Sequence, residues 1–140
     1  MSIVSNFLDK HRDTGLLILR IGIGGMFVFH GYGKLFGGPA VWVKLGSSMS
    51  YVGINFAPTF FGFIAAVAEF GGGICLISGF FFRQACFFLL CTMIVAASTH
   101  LGRGDGLKGA SHAIEAGILF LSLIFIGPGK KILCKKENDN

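Results

Sequence analysis

The sequence predicts an all-α integral membrane protein, a four-helix bundle with a short interfacial segment between its first and second spans. Three observations carry that prediction. Only 14% of the 140 residues are charged, 53% are apolar, and the mean hydropathy is +0.72. A soluble domain carries roughly 25% charged residues, and this chain has too few to cover a water-facing surface. Four continuous apolar stretches, at residues 15–36, 58–82, 84–101 and 109–126, reach or approach the ~20 residues that a helix needs to cross a bilayer. The 22 glycines are about twice the usual share, and those within the first, second and fourth stretches are small residues of the kind that let membrane helices approach closely. Residues 1–140 read as one domain.

Each span has its own boundary signals. The first ends at Gly37-Gly38-Pro39 and is too long for the apolar core of a cleaved leader, so it is expected to stay in the mature protein. Residues 37–57 form the longest connection. Val41, Trp42, Leu45 and Met49 recur there at roughly helical spacing, and Trp42 beside Lys44 suits a membrane interface, so a short interfacial or re-entrant helix is expected. Pro58 opens the second span, where a helix tolerates it. Arg83 and Gln84 are expected to separate spans two and three, giving a tight hairpin. Residues 102–106, Gly-Arg-Gly-Asp-Gly, read as a flexible polar turn. Gly127-Pro128-Gly129 closes the fourth span, and residues 130–140 read as a tail. Continuous runs such as Phe87-Phe88-Leu89-Leu90 argue against the alternating pattern of a β-barrel.

The composition also excludes other classes. High hydropathy rules out disorder. Four cysteines without close framework spacing do not make a disulfide scaffold, and none forms a C-x-x-C redox pair, so Cys75, Cys86, Cys91 and Cys134 read as small hydrophobes or tail residues. The net charge of +5 is thin and better explained by topology than by nucleic acid. Lys10, Arg12, Arg83, Lys130, Lys131, Lys135 and Lys136 fall on one side, against Lys34, Lys44, Arg103 and Lys108 on the other. Both termini are therefore expected to be cytoplasmic.

Ionisable side chains inside spans are costly and mark function or a structural pair. Counting about 1.5 Å per residue from the cytoplasmic end of each span places His30, Glu69, His100, His112 and Glu115 at about 22, 20, 24, 21 and 17 Å, one layer in the outer half of the bilayer. His112 and Glu115, three residues apart, share a helix face. Lys34 sits near the outer end of span one. Arg20 lies about 8 Å from the inner boundary by the same count; it can snorkel to the headgroups, serve a structural role, or reach toward Glu69. The layer supplies the ligand types for a transition metal, with His100, His112, Glu115 and Glu69 as candidates. It equally suits proton relay to a redox substrate, or a polar network that fixes helix register. A bis-His haem is a weaker option, since it needs two facing histidines and a flat cavity. Gly22, Gly24, Gly25, Gly71, Gly72, Gly73 and Gly117 are the expected close-packing positions, and Gly22-Ile-Gly-Gly is not a dinucleotide fingerprint without a strand before it.

Span one carries Leu19-Arg20-Ile21-Gly22 and His30-Gly31-Tyr32-Gly33-Lys34-Leu35, span two carries Ala68-Glu69-Phe70-Gly71-Gly72, and span four carries Glu115 and ends in Gly-Pro-Gly. Together these resemble the DoxX family of small bacterial membrane proteins over nearly the whole chain. Lys130, Lys131 and Ile132 replace the Ser-Leu-Asp that often follows the Gly-Pro-Gly in relatives. The resemblance implies a four-helix protein of the bacterial cytoplasmic (inner) membrane. By analogy with a subunit of a thiosulfate:quinone oxidoreductase, it also implies quinone-linked electron transfer.

Three functions remain open. The first is a membrane redox component that handles a quinone or similar apolar substrate through Glu69, His112 and Glu115 as proton-transfer groups, with His30, His100, Arg20 and Lys34 binding the ligand. No intrinsic electron carrier is visible, so a metal, a haem or a partner redox subunit would supply the electrons. The second is a small transporter or channel, for which a homo-oligomer is expected because four spans leave little room for a pathway. The third is a non-catalytic assembly or anchoring subunit.

Overall fold

The structure is a computed structural model that describes residues 3–132, and no strand occurs among them. The helices are α1 (Ile3–Lys10), α2 (Arg12–Leu35), α3 (Pro39–Gly46), α4 (Pro58–Ser78), α5 (Phe82–Gly102) and α6 (Gly106–Ile126), with a 3-10 segment, Ser47–Val52, following α3. α2, α4, α5 and α6 are each long and apolar enough to cross a membrane. The expected all-α membrane bundle is therefore present. Cys134, Lys135, Lys136 and the rest of residues 133–140 lie outside the described residues.

Consecutive long helices run antiparallel. As α2 advances from Gly24 to Gly31 to Lys34, its partners on α4 fall back from Gly73 to Phe70 to Glu69. Glycine makes this approach feasible, because a Cβ on Gly24 would sit 2.8 Å from the Gly73 carbonyl oxygen, and one on Gly73 would sit 2.7 Å from that of Gly24. Not every expected packing glycine has this role: Gly22, Gly25 and Gly71 have open space where a side chain would go. α3 folds back onto the outer end of α4 by the same device, with Gly46 against Pro58 and Gly62 against the Trp42 backbone. The expected short helix in residues 37–57 is thus α3, continued by the 3-10 segment.

Two boundaries differ from the sequence expectation. The hairpin between spans two and three turns at Gly79 (φ 80°), not at Arg83 and Gln84. α5 already begins at Phe82, placing Arg83 in its first turn. The apolar run Phe80-Phe81-Phe82 conceals that turn. α6 starts at Gly106, ahead of residue 109. α1 is an element with no counterpart in the sequence expectation. It buries none of its residues and exposes Ile3, Val4, Phe7 and Leu8.

The core gathers Phe27, Leu76, Phe82, Cys86, Leu89, Met93, Phe120 and Leu123. Phe27 of α2 meets Phe120 of α6 edge to face at 5.0 Å. Arg20 of α2 also lies over the Phe82 ring of α5, its Cζ 5.8 Å from the ring centre, but no Cα of α2 comes within 8 Å of a Cα of α5 or α6.

Arg20 neither snorkels nor reaches Glu69. Its side chain is completely buried. Nε donates to the Leu76 carbonyl at 2.8 Å and Nη2 to that of Ile77 at 2.9 Å, in the last turn of α4. Nη1 donates to the carbonyls of Pro128 at 2.9 Å and Lys131 at 2.6 Å. A helix end leaves its final carbonyls without intrahelical partners, and hydrocarbon offers no water to supply them. The planar fork of guanidinium donors answers carbonyls on two separate segments at once. A side chain on Gly79 would collide with that fork, its Cβ lying 2.5 Å from Nη2. Arg83 treats α6 in the same way on a smaller scale, donating to Ile124 at 3.0 Å.

Arg20→Lys should lower unfolding stability in a mixed-micelle SDS titration by about 2 kcal/mol, because one ammonium cannot span both segments. Arg20→Leu, which strands the carbonyls outright, should cost on the order of 3 kcal/mol or more. Equal stability of both variants and the parent would contradict the capping role.

Candidate functional site

Between α2, α4, α5 and α6 lies a cavity of about 470 Å³, in the half of the bundle where α2 ends and α4 begins. Its walls are mostly apolar: Phe27 from α2, Phe61, Ile64, Ala65 and Ala68 from α4, Phe88, Met93 and Ala96 from α5, and Ala113 from α6. Leu45, Gly46, Ser48 and Met49 roof it from α3 and the 3-10 segment. Phe88 and Ile64 are also exposed on the outside of the bundle, so the apolar wall is continuous with the lipid-facing surface.

The polar groups concentrate toward the end of the bundle where α2 finishes. Lys34 Nζ donates to both carboxylate oxygens of Glu69, at 2.8 Å and 2.6 Å. The Glu69 side chain is 5% exposed and that of Lys34 is 35% exposed. The pair satisfies the rule that charge at membrane depth finds an internal partner. Trp42 fixes the geometry from the side, its indole Nε1 donating to the Lys34 carbonyl at 3.0 Å. α3 is thereby tied to the end of α2 that presents the lysine.

His30, His100 and His112 line the same cavity as the Lys34–Glu69 pair, as does Arg103. Two predicted site residues fall elsewhere. Glu115 is exposed and does not line the cavity, although His112 three residues earlier does. Arg20 is committed to its four carbonyls near the inner end. His100, His112, Glu115 and Glu69 do not gather as a metal set: among the described residues, no group of three or more His, Cys, Asp or Glu is arranged to hold an ion. His100 instead pairs with Asp105, Nδ1 to Oδ2 at 2.8 Å. The sequence reading assigned Asp105 only to a turn. Its spacing of five residues from a histidine, across glycines, was the available signal. Cys91 lines the cavity, while Cys86 is buried in the core.

This arrangement can hold an amphipathic molecule. A volume of this size falls in the range of small-molecule sites, which combine apolar walls with a few convergent polar groups. Here those groups include a donor (Lys34), an acceptor (Glu69) and three imidazoles.

Comparison with known proteins places these features in context. The model of the DoxX family matches residues 15–101, the stretch that holds His30, Lys34, Glu69 and His100. The chain is 32% identical to an uncharacterized protein of Haemophilus influenzae, across 94% of this chain and 96% of that one. It is 27% identical to the inner membrane protein YqjF of Escherichia coli, across 87% of this chain and 91% of that one. No solved structure matches the chain.

The asymmetric burial of the ion pair sets an order among variants. Lys34→Met leaves the enclosed Glu69 carboxylate without its partner and should cost about 2–3 kcal/mol in the same SDS titration. Glu69→Gln should cost less, because the part-exposed lysine can turn outward along its stem. The double variant Lys34→Met/Glu69→Gln should recover most of the loss. A double variant as unstable as the sum of the two singles would show that the pair is not coupled.

Proposed function

The chain belongs to the DoxX family, and from that premise we propose that it is a membrane redox component that binds a quinone, or a similar apolar molecule with a polar head, in the outer half of the bilayer. The observation that carries this reading is the Lys34–Glu69 pair at the polar end of an apolar-walled cavity of about 470 Å³. The ring and tail of such a molecule suit the Phe27, Phe61, Ile64 and Phe88 walls, which continue to the lipid-facing surface from which it would enter. A head carbonyl accepts from Lys34 Nζ. The histidines can supply protons that a quinone takes up when reduced, and Glu69 and the histidines can accept those that a quinol releases when oxidised. Glu115 and Arg20 have no part in this site: the first lies off the cavity and the second is occupied as a helix cap.

The electrons are assigned to a partner redox subunit that carries its own electron carrier. The cellular setting that fits is the bacterial inner membrane, the location in the printed name of the Escherichia coli relative. Lys10, Arg12, Arg83, Lys130 and Lys131 group at the end of the bundle where α4 and α6 finish, which supports cytoplasmic termini.

Trp42 provides the assay, being the single tryptophan and hydrogen-bonded to the residue that presents the pair. A short-chain, water-soluble quinone titrated into the detergent-solubilised protein should quench its fluorescence to saturation. Lys34→Met/Glu69→Gln should weaken that binding about tenfold, the equivalent of losing one good polar contact. Unsaturable quenching, identical in the parent and the double variant, would mean partition into the micelle and would sink the proposal.

A further inference from the structure

Asp105 is the N-cap residue of α6, yet its side chain makes no capping hydrogen bond to that helix. An aspartate in this position ordinarily accepts from the first free N–H groups of its own helix. Here the carboxylate is turned back across the loop to His100 Nδ1, at 2.8 Å, while the Asp105 backbone N–H donates to the His100 carbonyl at 3.0 Å. Gly109 holds this arrangement in place. A Cβ there would lie 2.5 Å from the Asp105 Cβ and 3.6 Å from His100 Nδ1, so any side chain would displace the dyad. His100, Gly109 and Arg103 all line the cavity that holds Lys34 and Glu69.

An ionised carboxylate can only accept, so the neutral imidazole must carry its proton on Nδ1, leaving Nε2 as a bare acceptor for a ligand. The same logic fixes the histidine tautomer in the serine hydrolase triad, where replacing the aspartate by asparagine yields the wrong tautomer. From this geometry we propose that Asp105 is a positioning residue. It sets His100 Nε2 as a hydrogen-bond acceptor at the cavity, so that the site prefers a hydroxyl-bearing head, the reduced quinol, over a head without hydroxyl protons. The proposal rests on the quinone-site reading and deepens it, since it names which redox form the outer mouth recognises. Lys34 at the other polar contact donates, and Glu69 accepts, so only the His100 tautomer decides the preference at its own position.

The test uses the full chain in detergent at pH 8, with hydroquinone and its dimethyl ether as competitors of the quenching quinone. The ether keeps the ring but has no proton to donate. The parent protein should bind hydroquinone about tenfold more tightly than the ether. Asp105→Asn can donate its amide to Nδ1 and move the ring proton to Nε2, so the ratio of the two affinities should fall several-fold toward one. Taking the ratio in each protein cancels the steric difference between the probes. Independently of any variant, ¹⁵N-histidine NMR of the parent should show His100 protonated on Nδ1. A parent His100 protonated on Nε2, or an affinity ratio unchanged in Asp105→Asn, overturns the proposal. Absence of saturable binding by any probe overturns the quinone-site reading and this preference with it. A Nδ1-protonated His100 accompanied by an unchanged ratio would overturn the preference alone.

Discussion

The buried guanidinium of Arg20 is the interaction on which the rest of the molecule depends. Inside hydrocarbon no solvent can satisfy a helix end, and α4 ends within the bundle rather than in water. Arg20 supplies the missing donors, and in doing so binds three pieces of chain together: α2, the last turn of α4, and residues 128–131 beyond α6. The α2–α4 pair is therefore locked at the end where α4 finishes. Lys34 and Glu69 lock the opposite end of the same pair. Between these two polar clasps, Gly24, Gly31 and Gly73 bring the two backbones into contact, which neither clasp would permit with larger residues.

α2 packs backbone to backbone on α4 and meets α5 and α6 through side chains alone. α2 touches the far side of the bundle through Phe27 and Phe120, and the space above that contact stays open. α3 and the 3-10 segment roof it, held by glycine contacts to α4 and by the Trp42 indole. The cavity lies beside this close interface, with Lys34 and Glu69 in its wall. The ion pair closes one helix interface and also faces that cavity. Under the proposed function the same two residues serve both stability and ligand binding, so the single and double variants are informative only together.

Much of this was legible in the sequence because the bilayer imposes lengths. Apolar runs of about 20 residues locate α2, α4, α5 and α6, and rise per residue places His30, Glu69, His100 and His112 at one depth; all four line the cavity. Depth, however, carries no azimuth. Glu115 lies at the same level as its neighbours but off the cavity, although His112 on the same helix lines it. Depth arithmetic also could not assign Arg20, because its partners are backbone carbonyls that no residue type announces. Lys34 was visible near the outer end of α2, yet its bond to Glu69 follows from the antiparallel register, which glycine contacts set in three dimensions. The hairpin at Gly79 was masked by the phenylalanines after it, since hydropathy does not distinguish an apolar turn from an apolar helix. Asp105 looked like turn chemistry, and only the direction of its carboxylate reveals the link to His100.

The most direct measurement is photolabelling with an azido-quinone in proteoliposomes, followed by peptide mapping of the crosslinks. An apolar-walled site between α2, α4 and α5 predicts labels confined to peptides that contain Phe27 to Lys34, Phe61 to Glu69 and Phe88 to His100, all suppressed by excess unlabelled quinone. Labels spread over lipid-facing positions such as Phe125 and Ile118, or labels that unlabelled quinone does not suppress, would show that the molecule only dissolves in the surrounding bilayer and that the cavity is not its site.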